Sequence, residues 1–281
     1  MRDFMPIGAA APPGLPIAAG SRRRRAGHPR ERKIASVMNR FEPQIATAKA
    51  DILLQRAARG LGLHRRYFDA REIARARIER LDLGRNRALG LLFVHVPKCG
   101  GSSVEDQLGV HHGHRSAVYF RAADPELFAR AWKFSIVRNP YDRLVSAFHY
   151  LKGHSFSERD RAWAAATLGD CPDFAGFLDR LAEPGFRDRV LAWLHFQPQW
   201  YYLCDARGRL LVDEAARLED LDGFAARFNA AGRGVTLDTG VRRRPSERAA
   251  WQDYYDAASL ARVAAIYARD FEIFGYPVGA G

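Results

Sequence analysis

Lys98 stands directly before Cys99-Gly100-Gly101-Ser102-Ser103, and that order of residue types suits the holding of an anion. Glycines let backbone N–H groups come close to a ligand. A loop that enters a helix aims several of those groups at one point, with the helix dipole behind them. Lys98 adds a point charge, and the Ser102 and Ser103 hydroxyls can bond phosphate or sulfate oxygens. This is not a Walker A loop, in which lysine follows the glycines as G-x-x-x-x-G-K-[ST]. The bland alternative is a strand-to-helix turn whose glycines serve only packing; the lysine and the serine pair weigh against it.

A second segment reads Arg138-Asn-Pro-Tyr-Asp-Arg-Leu-Val-Ser146. A guanidinium at a strand end and a hydroxyl two turns into the next helix can together hold a second phosphate. Arg143 competes for that role or faces solvent. Histidines are the remaining chemical candidates. His111, His112 and His114 cluster after the first loop helix, but no Cys or Asp stands at ligand spacing, so no metal is expected. His95, inside an apolar strand, reads as a satisfied core histidine, His149 as packing or solvent-facing, and His195 is unassigned.

These residues need elements to position them. The near-continuous apolar run Leu89–Val96 predicts a buried parallel strand, followed by the loop and a helix from Ser102. Trp132–Val137 predicts a second strand, and a helix over Tyr141–Leu151 follows, with Asn139 as N-cap and Pro140 at its first position. Helices are expected near 173–182, 187–196, 219–230 and 256–271, and a hairpin pairs Tyr201–Cys204 with Arg209–Asp213. Together they predict a three-layer α/β/α fold with a mostly parallel sheet and a P-loop-like strand-loop-helix. Two earlier helices are expected at 41–60 and 69–82, the second opened by an Asp69…Glu72 capping pattern.

The 281 residues carry a formal charge of +12, unevenly placed. Residues 1–87 hold 20 Lys and Arg against 8 Asp and Glu, whereas residues 88–281 hold 24 of each. The expected organisation is a basic extension over 1–87, disordered over 1–38 and helical over 41–82, before a neutral main domain at 88–281. A neutral body argues against a nucleic-acid partner. The basic N-terminus leaves room for a weak membrane-surface contact. Cys99, Cys171 and Cys204 form no C-x-x-C pair, which disfavours disulfide and zinc frameworks. No apolar stretch is long enough to span a bilayer, and the Pro-rich run from Met5 to Gly20 precedes its arginines, the wrong order for a signal peptide. A cytoplasmic location is expected.

Pro97-Lys98-Cys99-Gly100-Gly101-Ser102-Ser103 and Arg138-Asn-Pro-Tyr-Asp-Arg-Leu-Val-Ser146 together resemble the two donor-binding motifs of the PAPS-dependent sulfotransferases. The resemblance is to the carbohydrate-sulfotransferase-like branch with soluble bacterial members. Later blocks resemble it in the same order: Gln197-Pro198-Gln199, Arg217-Leu218-Glu219-Asp220-Leu221, and Tyr267-Ala-Arg-Asp270-Phe with Phe274-Gly275-Tyr276. The resemblance implies 3′-phosphoadenosine 5′-phosphosulfate (PAPS) as donor and, by family alone, a carbohydrate hydroxyl as acceptor. It implies that Lys98, Cys99, Gly100, Gly101, Ser102 and Ser103 hold the 5′-phosphosulfate, that Arg138 and Ser146 hold the 3′-phosphate, and that His114 is the general base with Lys98 as second catalytic residue. Two departures stand out. Cys99 replaces the commoner Thr or Ser, and Arg244-Pro245-Ser246 with Arg248 replaces the family's Asn-x-Ser. Two other readings stay open: a kinase with an atypical phosphate loop, with Asp213 as its metal-binding acid, and a non-catalytic nucleotide-binding adaptor.

Overall fold

Leu91, Leu92, Phe93 and Val94 are each at most 2% exposed, so strand β1 (Leu91–Val94) is buried on both faces. The computed structural model describes residues 50, 53–55, 57–59, 61–155, 157–240 and 249–279. Those before β1 form α1 (His64–Ile78) and α2 (Gly84–Leu89). After β1 come α3 (Gly101–Leu108), α4 (Ala117–Ala123), α5 (Pro125–Arg130) and strand β2 (Trp132–Val137). Helix α6 (Pro140–His149) runs into a π-helical turn at Tyr150–His154. Then follow α7 (Glu158–Leu168), α8 (Phe174–Arg180), α9 (Pro184–Ala192) and the short α10 (Trp200–Leu203). Strand β3 (Glu214–Arg217), α11 (Leu221–Ala230), α12 (Ala257–Ile266) and α13 (Ala268–Phe274) complete the order.

Among the described residues the sheet has the order β1-β2-β3, and both pairings are parallel. The α/β class and the parallel sheet stand as expected. Phe93, Trp132, Phe134, Phe224 and Phe228 form a chain of ring contacts at centroid distances of 5.0–5.9 Å, which seats α11 on one side of the sheet. Such pairs add specificity to the area they bury.

Three local expectations are corrected. The expected hairpin reduces to a tight turn: Asp205 Oδ1 accepts from the Arg207 and Arg209 amides, and a single antiparallel bridge joins Cys204 to Leu210. The chain then goes on to β3, which pairs with β2 instead. The helix expected from 69 begins at His64 with no side-chain cap. Asp69 pairs with Arg65 one turn back, and Glu72 is buried, accepting from Arg75 and from the Ser116 amide. The long helix over 256–271 breaks at Tyr267, whose hydroxyl donates to the Phe196 carbonyl at 2.8 Å.

Residues 48–281 cluster as one compact unit, so α1 belongs with the body. Arg65 donates to the Tyr201 and Cys204 carbonyls at 2.7 and 2.6 Å, while Phe68 packs on the rings of Tyr201 and Tyr202. The expected disorder at 1–38, most of the helix at 41–60, and the Ser246 and Arg248 positions lie outside the described residues. Among the described residues no helix is long and apolar enough to cross a membrane.

Candidate active site

Strand β1 ends in Val94, and the loop begins with His95, Val96 and Pro97. Lys98 then takes φ +67°, the one positive value at a non-glycine among the described residues. A side chain in that conformation costs about 1–2 kcal/mol, and such strain collects at functional sites. Gly100 follows at φ +75° and caps α3. Its neighbour Gly101 is required by close approach: a Cβ there would lie 2.3 Å from His95 Cδ2 and 2.6 Å from Nε2. The His95 ring has nowhere to go, because its Nδ1 is bonded to Glu105 Oε2 at 2.9 Å. Gly101→Ala is therefore expected to destabilise the fold by about 1–3 kcal/mol, as overpacking does. An unchanged urea midpoint would show that the ring and loop part without cost.

The side chains of this loop divide between inside and outside. Ser102 and Ser103, in the first turn of α3, are partly exposed. Cys99 is wholly buried, its Sγ 3.2 Å from Gln199 Oε1 and 3.6 Å from the Pro97 carbonyl. Burial pushes its thiol up to about 12, so it stays protonated. This corrects the place given to the Cys99 side chain: it braces the loop from within, and only its backbone is left to face an anion.

The second motif closes on the first. Asn139 caps α6 by accepting from the Tyr141 amide at 3.0 Å, with Pro140 behind it, as the sequence predicts. Arg138, at the end of β2, donates from Nη1 to the Lys98 carbonyl at 3.3 Å and from Nε to Asp142 at 2.6 Å. Gln199 holds the same strand end from both sides: its Oε1 accepts from the Arg138 amide at 2.9 Å and its Nε2 donates to the Arg138 carbonyl at 2.8 Å. The Gln199 amide in turn donates to buried Asp270, whose carboxyl burial pushes up to about 6. Ser146 lies on α6, partly exposed. Arg143 does not face solvent. It is 2% exposed, donates from Nε to the Pro97 carbonyl at 2.9 Å, and so fastens the loop to α6 from beneath.

The histidines separate by partner. His111 is exposed, with Asp106 at 3.7 Å. His112 is buried and bonds Asn86 Oδ1 through Nε2 at 2.6 Å. His114 turns to the loop: its Nδ1 lies 3.2 Å from the His95 carbonyl and its ring is 4.4 Å from the His95 ring. A carbonyl only accepts, so Nδ1 carries the proton and Nε2 is the bare, basic nitrogen. Burial, then the neighbouring His95 and His195, hold the imidazole well below its ordinary range, and it is neutral at pH 7. Glu105 builds this corner, its second oxygen accepting from the His112 and Gly113 amides at 3.2 and 3.1 Å.

Three residues that the sequence leaves without a role stand here too, beside His95, which is buried and bonded to Glu105 as a satisfied core histidine should be. Tyr150, in the π-helical turn, lies with its ring centre 4.0 Å from Lys98 Nζ. His195 packs between Tyr150 and His114, at ring distances of 4.9 and 6.0 Å. Asp160, on α7, accepts from His195, Tyr150 and Trp193 at 3.1–3.2 Å. His95 also stands just past a strand's carboxyl end, where α/β sheets put their ligands, a signal of the site beside its core reading. Asp160 and His195 carry no such local signal. Asp213, the acid a kinase would need, is taken up by the Lys133 amide at 2.7 Å and its ammonium at 2.9 Å. Among the described residues no group of three or more His, Cys, Asp or Glu is placed to hold a metal ion.

A family model described as the sulfotransferase family matches residues 85–277, a span that takes in both the Pro97–Ser103 and the Arg138–Ser146 segments and the three strands described. No curated protein and no solved structure gives a match.

Proposed function

This chain belongs to the sulfotransferase family, and from that premise we propose that it transfers a sulfuryl group from PAPS to a carbohydrate hydroxyl. The observation that carries the reading is the bond from Arg138 Nη1 to the Lys98 carbonyl, which makes the two anion-binding motifs neighbours. A donor with phosphate at both the 5′ and 3′ positions needs two such motifs side by side.

The loop amides at Gly100–Ser103, the two serine hydroxyls and Lys98 would hold the 5′-phosphosulfate. Arg138 and Ser146 would hold the 3′-phosphate. The donor supplies an activated sulfuryl group, which an acceptor oxygen attacks in line as the 3′,5′-bisphosphate leaves. His114 Nε2 takes the hydroxyl proton, help worth about 10²–10⁴ in rate. Lys98 and the α3 amides stabilise charge that grows on the bridging oxygen. Lys98, Gly100 and Gly101 thus act on the leaving group, and His114 on the nucleophile. The carbohydrate acceptor follows from the family resemblance, and no nucleic acid is expected to take its place. We place the enzyme in the cytoplasm, with its basic N-terminus making a weak contact to anionic membrane surfaces.

Titration calorimetry tests the donor. The protein should bind 3′-phosphoadenosine 5′-phosphate much more tightly than AMP. Arg138→Ala should cost about 1.5–3 kcal/mol of that affinity, as for a lost hydrogen bond to a charged group. Equal affinity for the two nucleotides would refute the 3′-phosphate assignment.

A further inference from the structure

A lysine ammonium rides on a flexible four-carbon stem, so fixing it takes a hold at each end. For Lys98 the loop supplies the first: φ +67° and the Arg138 bond to its carbonyl set how the side chain leaves the backbone. The second is the ring of Tyr150, whose centre lies 4.0 Å from Nζ. A ring face attracts a cation through its quadrupole, and it takes one side of a group that carries three N–H donors. Tyr150 is itself firmly held. It opens the π-helical turn after α6, and such turns are frequent at functional sites. Its hydroxyl donates to Asp160 Oδ2 at 3.1 Å, and His195 packs edge-on against its ring at 4.9 Å. Trp193 and His195 donate to the same carboxylate at 3.1 and 3.2 Å. Burial pushes Asp160 up, but the bonds from His195, Tyr150 and Trp193 outweigh it, so the carboxylate is ionised. A phenol that donates to a carboxylate is polarised towards phenolate, which makes its ring face more negative and its pull on an ammonium stronger. Three buried side chains remote from the loop in sequence thus fix one ring, and that ring meets Lys98.

We propose that Tyr150, braced by Asp160 and His195, is the positioning residue for Lys98: its ring holds the ammonium where charge develops on the leaving oxygen. The inference rests on the reading of Lys98 as the group that stabilises that oxygen. Tyr150 acts through Lys98 and keeps its place under the ammonium with the nucleotide bound as well as without it. Ordering a long side chain costs conformational entropy. With the ammonium already seated on the ring, that cost is met in folding, and no reorganisation is left for the moment of reaction. The effect of the ring therefore belongs in kcat and not in donor binding.

Rates and a spectrum test this separately. Tyr150→Leu should lower kcat about tenfold, the size of a desolvated cation–π contact, with the KM for donor nearly unchanged. Tyr150→Phe keeps the ring and should retain most of the turnover. In a Lys98→Ala background, Tyr150→Leu should lower kcat no further, because the two residues act as one. A merely structural Tyr150 would lower kcat in both backgrounds. That result, or a phenylalanine variant as slow as the leucine one, sinks the proposal and leaves the role of Lys98 standing. Full turnover in Lys98→Ala sinks the reading of Lys98 and the proposal with it. The spectrum uses the full chain labelled with carbon-13 lysine. Its lysines are Lys33, Lys49, Lys98, Lys133 and Lys152, so the signals are few, and Lys98→Ala assigns the one in question. The Lys98 ε-methylene protons should be shifted upfield by the Tyr150 ring current, with 3′-phosphoadenosine 5′-phosphate present or absent. The shift should survive in Tyr150→Phe and disappear in Tyr150→Leu. Lys133, with Nζ 5.4 Å from the Phe128 ring centre, is the internal control that should not change. An unshifted Lys98 signal, or a shift lost when the nucleotide binds, overturns the proposal whatever the rates.

Discussion

Replacing His114 with alanine is expected to lower turnover at least about a hundredfold, the low end of what a positioned general base contributes, and to leave donor affinity nearly unchanged. The imidazole is held by the His95 carbonyl through Nδ1, so its basic Nε2 keeps one orientation next to the loop. Its recorded hydrogen bond is to the His95 carbonyl and not to the loop amides that would grip the donor, hence the split between turnover and binding. His111 and His112 are internal controls, because one is exposed beside Asp106 and the other is spent on Asn86. Their alanine variants should keep near-normal turnover. The pH dependence has a definite sign. A base works when deprotonated, and burial with the neighbouring His95 and His195 lowers the pKa of His114 well below the ordinary value of 6.5. Turnover should therefore hold as pH falls through 6.5 and decline only below it. Alanine at His114 with full turnover, or an acid limb centred above 6.5, would move the base to another residue.

What the sequence made legible was local in origin. The β1 and β2 runs are apolar because both faces of a parallel strand are buried, and the Asn139-Pro140 start of α6 is a matter of adjacent residues. The loop could be read because glycines, lysine and serines stand in one unbroken string. β3 could not, since Glu-Ala-Ala-Arg has neither β-branched residues nor alternation and is a strand only through its pairing with β2. The inward turn of Cys99 and the burial of Arg143 were hidden for a related reason. Cys99 turns in toward Gln199 and Arg143 toward the Pro97 carbonyl, and each partner comes from a distant part of the chain. Asp160 and His195 are 35 residues apart and share no motif, yet they bond each other where the π-helical turn after α6 sets Tyr150 against both, beside Lys98. Turns of that kind are frequent at functional sites, and no residue type announces them.

The same geometry sets the expectation for Lys98. Its ammonium is 4.0 Å from the centre of the Tyr150 ring, and its backbone is held at φ +67° between the Arg138 guanidinium on its carbonyl and the cap residue Gly100. An ammonium fixed where charge grows on a leaving oxygen acts in the transition state more than in the ground state, so it should appear in kcat. Lys98→Ala should cut turnover about 10²–10³-fold, the loss usual for one oxyanion-stabilising donor, while donor affinity falls by much less. Backbone and side chain can be separated at this position. Lys98→Gly also removes the ammonium but adopts positive φ without strain, and should raise stability by about 1 kcal/mol over Lys98→Ala. Both variants should lose turnover to the same extent. If glycine restored the turnover that alanine loses, the loop conformation, and not the charge, would be what the reaction needs from Lys98. If both variants kept full turnover, Lys98 would have no part in the mechanism.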